Sequence, residues 1–101
     1  MADARFPMAD GRLALARLCA VNGRYDEALE WFGEARRVLE DEGAMPLLAV
    51  CDLDEATVRR RRAATGDAEA AGELHEAAVR QFEALGMTGW VARAEALAAS
   101  T

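Results

Sequence analysis

Apolar side chains recur every three or four residues along most of the chain, which is the spacing of one face of an α-helix. Glycine or proline interrupts the pattern at several places and divides it into five helical segments. We expect a frayed leader at residues 1–6 and helices at residues 7–21, 25–41, 46–64, 67–85 and 88–99. No strand is expected, so the predicted fold class is all-α.

The ends of the predicted helices carry residues that suit turns. Pro7 and Pro46 fit the first position of a helix, because the N–H that proline lacks has no partner there. Glycines lie where a left-handed residue closes a helix or reverses the chain; these are Gly23, Gly43, Gly66 and Gly86. The short turns predict that neighbouring helices run antiparallel.

The two halves of the chain match at a fixed offset of 43 residues. Five pairs share this offset: Gly23 with Gly66, Ala28 with Ala71, Ala35 with Ala78, Leu39 with Phe82, and Gly43 with Gly86. We therefore expect an internal duplication within a single domain at residues 7–101. Repeat one would span residues 7–43, repeat two residues 44–86, and a capping helix residues 87–101.

A glycine turn, an aromatic residue and then alternating small and large residues are typical of helix pairs that pack closely. Tyr25 and Phe32 provide the large residues, and Ala28 and Ala35 the small ones. This stretch resembles a tetratricopeptide repeat. The resemblance assigns repeat packing to Ala16, Gly23, Tyr25, Ala28, Phe32, Ala35, Gly66, Ala71, Ala78 and Phe82. It implies a superhelix of two degenerate repeats that recognises a protein partner.

The 43-residue period and the segment at residues 82–97 resemble the C-terminal arrays of large bacterial signalling proteins, including AAA-type ATPase regulators and adenylate cyclase-like proteins. Three positions depart from the repeat: Tyr25 corresponds to Ala68 only if one residue is skipped, Phe32 corresponds to His75, and Ala16 corresponds to Arg59. The last departure matters most, because a guanidinium in a close helix contact is costly. Either the third helix is rotated, so that Ala56 and Ala63 make the contact, or the second helix pair is splayed. Both alternatives stay open at this stage.

Composition narrows the class of protein further. All 12 basic residues are arginine, isoleucine and lysine are absent, and the net charge is −6. The missing residues have A- and T-rich codons, so we infer a GC-rich bacterial source. The chain has no apolar run long enough to span a bilayer and no signal-peptide layout at its N-terminus, and we expect a cytoplasmic protein with no membrane partner. Cys19 and Cys51 lie in apolar stretches and are expected to be reduced thiols.

Nothing in the sequence predicts an enzyme. The single histidine, His75, lies on a helix stripe where a large core residue belongs, and the only serine, Ser100, is near the chain end. Cys19, Cys51 and His75 are scattered over three predicted helices, which argues against a metal site. No glycine-rich loop with lysine is present to bind phosphate. We therefore expect no catalytic residues, no metal and no cofactor.

The candidate partner-binding residues are Arg17, Arg60, Asp10 and Leu13. Tetratricopeptide arrays bind ligands along the first helix of each repeat, and Arg17 and Arg60 are equivalent at the 43-residue offset. Two guanidiniums so placed would bind an acidic peptide or a C-terminal carboxylate. They would alternatively be surface arginines paired with Asp10 or with carboxylates of the third helix.

Two further expectations concern partners. Arg59 to Arg62 form a full helical turn of positive charge, so the alternative function is a nucleic-acid-associated regulator. The acidic net charge of the chain argues against binding of nucleic acid. Two repeats also leave apolar side chains uncovered at the open face of the first helix. Leu13, Leu15, Leu18, Trp31 and Trp90 cannot all be buried within one regular stack, so we expect a homodimer.

Overall fold

A computed structural model describes the backbone of residues 8–99 and the side chains of residues 11–99. Within this range the chain forms five α-helices and no strand, which confirms the all-α prediction. They are α1 (Met8–Val21), α2 (Tyr25–Glu42), α3 (Met45–Arg62), α4 (Asp67–Ala84) and α5 (Thr88–Ala99). The predicted leader, residues 1–6, lies outside the described residues, as do residues 100 and 101.

Each helix packs against the next one in sequence, and α3 also contacts α1. Because the connecting turns are only two to four residues long, consecutive helices run in opposite directions. The described part of the molecule measures 42 × 32 × 19 Å. It is thus a flat arrangement in which α3 lies centrally, with α2 and α4 as its neighbours and α1 close by.

Alanine makes this close packing possible. Small side chains let helix axes approach, and the few large side chains fill the remaining space at normal interior density. The predicted packing positions on the helices have no exposed surface, while Tyr25 is half-buried. These fully buried positions are Ala16, Ala28, Phe32, Ala35, Ala71, Ala78 and Phe82. Phe82 also stacks on Trp90 of α5, with 5.4 Å between ring centroids.

Three helices end in a left-handed glycine, as predicted. After α1, Gly23 has φ 77°, and the Arg24 N–H donates to the Cys19 carbonyl at 2.8 Å. Gly43 and Gly86 have the same role after α2 and α4. Helix α3 is the exception, because Ala63 takes the left-handed conformation with φ 55° although it carries a Cβ. This conformation costs an L-residue about 1–2 kcal/mol.

The burial pattern of α3 bears on the two alternatives left open by the sequence. Ala56 has no exposed surface, and Leu53 is 1 % exposed, whereas Ala63 is exposed. Leu53 and Ala56 have the same three-residue spacing and burial as Leu13 and Ala16 of α1, at an offset of 40 residues rather than 43. Helix α3 is rotated relative to the expected register, and its close contact involves Ala56 without Ala63.

Charged side chains join the three central helices. We call this set the inter-helix ion network; in order of contact it comprises Asp52, Arg36, Glu55, Arg59, Asp67, Arg62 and Asp26. Arg36 of α2 lies 2.7 Å from a carboxylate oxygen of both Asp52 and Glu55. Arg59 lies 2.9 Å from Glu55 and 3.2 Å from Asp67. The rotation of α3 thus places Arg59 among carboxylates instead of in a close helix contact.

Asp67 is the most deeply buried acid of the network, with 1 % of its surface exposed. Its carboxylate accepts hydrogen bonds from Arg62, Arg59 and the Ala64 backbone N–H. The Arg62 hydrogen bonds, with help from the Ala64 N–H and from Arg59, outweigh burial and hold the pKa of Asp67 well below its usual range. The carboxylate is therefore ionised at neutral pH, and it fixes the turn that connects α3 to α4.

Candidate functional site: a groove between α1, α3 and α5

A concave surface with both charged and aromatic side chains forms a groove of about 500 Å³. Helices α1, α3 and α5 form its walls, and Phe32 of α2 contributes to its floor. The residues of α1 are Arg17, Ala20 and Val21; those of α3 are Asp54, Thr57, Val58 and Arg61; those of α5 are Trp90, Arg93 and Leu97. A volume of this size accommodates a few side chains of an extended or helical segment.

The groove is basic although the whole chain is acidic. Three arginines line it, Arg17, Arg61 and Arg93, and Asp54 is its single carboxylate among the described residues. Arg61 is exposed, and its guanidinium forms no ion pair within residues 11–99. The groove therefore carries an excess of two positive charges, against −6 for the full chain.

Arg93 and Trp90 form one unit on α5. The Arg93 guanidinium lies over the Trp90 indole, 5.1 Å from the ring centroid, in a cation–π contact. Trp90 in turn is held by the buried Phe82 of α4. This packing fixes the indole at the wall of the groove, where it offers an apolar surface next to a positive charge.

Arg17 and Asp54 form an ion pair across the groove. The Arg17 Nε–H donates to Asp54 Oδ2 at 2.7 Å, and the two side chains are 53 % and 27 % exposed. Burial raises the pKa of Asp54, and this effect exceeds the opposing influence of Arg17 and of Arg93. The pair matches the sequence alternative in which Arg17 binds a carboxylate of the third helix.

The structure separates the four residues that the sequence proposed for partner binding. Arg17 lines the groove, but Arg60 lies on another face, at the cavity between the end of α3 and the start of α4. Arg60 is half-buried there, and its Nη1 has no hydrogen-bond partner within the described residues. Leu13 is only 5 % exposed and belongs to the core, so it is not accessible to a partner. The side chain of Asp10 lies outside the described residues.

The correction from Arg60 to Arg61 follows from the rotation of α3. With the offset of 40 residues that burial indicates, Arg17 is equivalent to Thr57, which does line the groove. Arg61 lies one helical turn further along the same wall. One sequence signal indicates this face of α3. Leu53 and Ala56 repeat the spacing of Leu13 and Ala16, and aligning these two pairs gives the offset of 40 residues.

Trp90 and Arg93 were not proposed as binding residues either. Their spacing of three residues on the last helix places them on one face, which is a detectable pattern. Nothing in the sequence showed that this face turns towards Arg17, because that depends on how α5 packs against α4. The sequence pattern therefore lacks the tertiary contact that brings Trp90 and Arg93 to the groove.

The four consecutive arginines of α3 do not form one basic surface. Arg59 and Arg62 are bound to the carboxylates of the inter-helix ion network, and Arg60 is half-buried. Arg61 is thus the member of the run that remains exposed and unpaired in the described part of the chain. A single free guanidinium gives little of the multiple phosphate contact on which nucleic-acid binding depends.

Cys51 and His75 are not grouped with other reactive side chains within the described residues. The Cys51 thiol is buried, donates weakly to the Phe32 carbonyl at 3.7 Å, and has its pKa raised to about 12 by burial. His75 is half-buried, and burial together with the charge of Arg60 lowers its pKa. Residues 11–99 contain no cluster of ligands able to hold a metal ion. None of the described helices is long and apolar enough to cross a membrane.

No protein-family model matches the chain, and neither the curated proteins nor the solved structures contain a significant match. The groove and its charges therefore carry the functional argument.

Proposed function

We propose that this chain is a non-catalytic protein-interaction module whose groove between α1, α3 and α5 binds an acidic peptide segment of a partner protein. The observation that carries the proposal is the grouping of Arg17, Arg61 and Arg93 around Trp90 in a chain of net charge −6. Because the rest of the chain has a net negative charge, an acidic segment meets a more favourable potential at this groove than over most of the molecule.

The groove favours a segment that combines carboxylates with an apolar side chain. Arg61 and Arg93 provide guanidiniums for charge-assisted hydrogen bonds to carboxylates. Trp90 and Val21 provide apolar surface beside them. Aromatic and arginine side chains are enriched at the energetically important positions of protein interfaces. The arrangement offers positions for binding and none of the nucleophile–base pairs that catalysis uses.

The proposal includes the class of repeat indicated by the sequence. The turn glycines, the buried alanines and the alternation of α1, α3 and α5 on one face support a tetratricopeptide-like array of two repeats and a capping helix. We place this module in a bacterial cytoplasmic signalling or transcription-regulatory system, on the resemblance of residues 82–97 to arrays in such proteins.

The test uses a fluorescein-labelled decapeptide of alternating glutamate and leucine, titrated with the folded chain and followed by fluorescence anisotropy. We expect micromolar affinity that weakens with salt, because exposed charges are screened. Arg61→Ala and Arg93→Ala should each weaken binding about tenfold, which corresponds to roughly 1.4 kcal/mol. Arg80→Ala is the matched control, since Arg80 is exposed on α4 and outside the groove.

Equal binding by Arg61→Ala, Arg93→Ala and Arg80→Ala would refute the groove as the binding site. A duplex DNA of random sequence, titrated in the same assay, tests the nucleic-acid alternative. That alternative requires binding at low salt that is lost when Arg61 is replaced, and absence of binding at low salt removes it.

The proposal also includes self-association through α1. Leu15 is 40 %, Leu18 57 % and Val21 79 % exposed, so this side of α1 presents aliphatic surface to a second copy of the chain. A standard interface buries about 800 Å² on each partner, and these three side chains supply only part of it. We therefore expect a weak homodimer, seen in sedimentation as a mass that falls on dilution. Leu18→Glu should give a monomer at all concentrations.

A further inference from the structure

Asp54 is an acid placed inside the basic groove. It is the carboxylate among the lining residues, and it lies on α3 between the walls formed by α1 and α5. Its Oδ2 accepts the Arg17 Nε–H at 2.7 Å, so the guanidinium of Arg17 already has an anionic partner within the chain. A ligand carboxylate would have to displace this partner to use Arg17.

We propose that Asp54 is a specificity-determining residue of the groove: it occupies Arg17, so that an acidic segment is held by Arg61 and Arg93 alone. This inference rests on the proposed function of the groove. It predicts that the groove selects segments with carboxylates near α5 and the end of α3, and rejects a further carboxylate next to α1.

The contacts of Asp54 differ from those of an acid that stabilises the fold. Asp67, in the inter-helix ion network, accepts bonds from two arginines and a backbone N–H and is almost completely buried. Asp54 has one hydrogen bond, to an arginine that is itself half-exposed. Burial raises the pKa of Asp54, so the folded protein disfavours its ionised form, and the pair with Arg17 only partly offsets this effect. The contacts of Asp54 therefore stabilise the fold less than those of Asp67 do.

The charge balance gives the expected size of the effect. Replacing Asp54 by asparagine keeps the shape of the side chain, removes one negative charge from the groove and frees Arg17 for the ligand. One added charge-assisted hydrogen bond is of the order that changes affinity about tenfold. The variant should also bind with a steeper dependence on salt, since three guanidiniums instead of two then face the peptide.

The experiment titrates the same labelled glutamate–leucine decapeptide with wild type, Asp54→Asn and Asp41→Asn. Asp41 is exposed on α2 and outside the groove, so Asp41→Asn makes the same change in net charge without changing the groove. We expect Asp54→Asn to bind about tenfold more tightly than wild type, and Asp41→Asn to bind less than twofold more tightly. Circular dichroism and thermal melting of each variant establish that all three are folded.

Arg17→Ala in the two backgrounds identifies the source of the gain. In the Asp54→Asn background it should remove the added affinity, because Arg17 is then the residue that contacts the ligand. In the wild-type background it should weaken binding by no more than about threefold. A gain that survives Arg17→Ala, or Asp54→Asn binding no tighter than Asp41→Asn, overturns the role of Asp54.

The two proposals fail in different ways. If Arg61→Ala leaves wild-type binding unchanged, the groove is not the binding site, and the role of Asp54 falls with it. If Arg61→Ala weakens binding but Asp54→Asn does not strengthen it, the groove is the site and Asp54 does not control access to Arg17.

Discussion

Glu55→Gln should destabilise the fold more than any charge removal on the surface. Glu55 is 6 % exposed, and its carboxylate lies 2.7 Å from Arg36 Nη2 and 2.9 Å from Arg59 Nε. Glutamine keeps the size of the side chain and removes the charge that faces two guanidiniums. The perturbation therefore tests the central link of the inter-helix ion network without creating a cavity.

The expected loss follows from the two contacts. Arg59 donates a hydrogen bond to Glu55, and this bond weakens by about 1–1.5 kcal/mol when its acceptor becomes neutral. Arg36 forms an ion pair with Glu55 without hydrogen-bond geometry, and its loss adds up to about 1 kcal/mol, so the total is about 2 kcal/mol. This is below the 3–5 kcal/mol that follows when a buried ion pair is broken outright. The reason is that Arg36 keeps Asp52 and Arg59 keeps Asp67 as partners.

The free energy of unfolding is measured by urea denaturation at neutral pH, with Glu69→Gln as the control. Glu69 is exposed on α4 and has no ion pair within the described residues, so its replacement should change stability by less than 0.5 kcal/mol. A loss of about 2 kcal/mol corresponds to a melting temperature lower by roughly 8–16 °C for a chain of this size. The difference should persist in high salt, because the pair is shielded from solvent.

A Glu55→Gln protein as stable as the Glu69→Gln control would refute this reasoning. It would mean that the free-energy cost of burying the Glu55 charge equals the stabilisation from its interactions with the two arginines. Loss of the effect at high salt would show that the site is more hydrated than its burial implies.

Three other predictions concern packing, a helix end and pH. Ala28→Leu should destabilise the fold by about 1–3 kcal/mol, because it overpacks a fully buried site. The control Ala14→Leu, on the exposed side of α1, should leave stability unchanged. An unchanged melting temperature of Ala28→Leu would contradict the close helix contact. Ala63→Gly should stabilise by about 0.5–1 kcal/mol in urea denaturation, because glycine adopts the positive φ without strain, and a loss of stability would refute this. Burial and the charge of Arg60 lower the pKa of His75 in the folded protein. The unfolded chain therefore binds a proton more readily at this residue, and the free energy of unfolding should fall as pH decreases below about 6.5. His75→Gln should reduce the loss of stability between about pH 7.5 and about pH 5.5, and an unchanged loss would contradict the role of His75.

Helix positions were predictable because local chemistry determines them. The left-handed glycines after α1, α2 and α4 and Pro46 in the first turn of α3 are strong signals that act within a few residues. The end of α3 was the least well placed, since Ala63 closes this helix in a conformation that alanine rarely adopts. Here the carboxylate of Asp67, which binds the Ala64 N–H, supports a turn that the local sequence does not favour.

The candidate site was only partly predictable. Arg17 was identified from its place on the first helix, but the choice of Arg60 depended on one offset for both helices of the repeat. The buried residues Ala28 and Ala71 keep the offset of 43, whereas the buried residues Ala16 and Ala56 are 40 apart. A difference of three residues rotates a helix by about 60° relative to its expected face. Thr57 then takes the place expected for Arg60, and Arg61 lies one turn further along the same face.

The ion network shows the same limit. The Glu55–Arg59 pair, four residues apart on α3, is one that helical spacing alone indicates. Arg62 binds Asp67 of α4 and Asp26 of α2, which its own helix does not indicate. Pairs between helices depend on docking geometry, which no single helix encodes.

The inter-helix ion network joins α2, α3 and α4 and leaves out α1 and α5. Separating any two of the central helices would leave buried charges without their partners, so we expect these helices to unfold together in local unfolding. Helix α5 contacts mainly α4, and α1 contacts mainly α2, with the half-exposed Arg17–Asp54 ion pair as its polar link to α3. These two helices should exchange amide hydrogens for deuterium sooner. Because these two helices are the outer walls of the groove, its width can adjust to a bound segment while α3, its central wall, stays fixed.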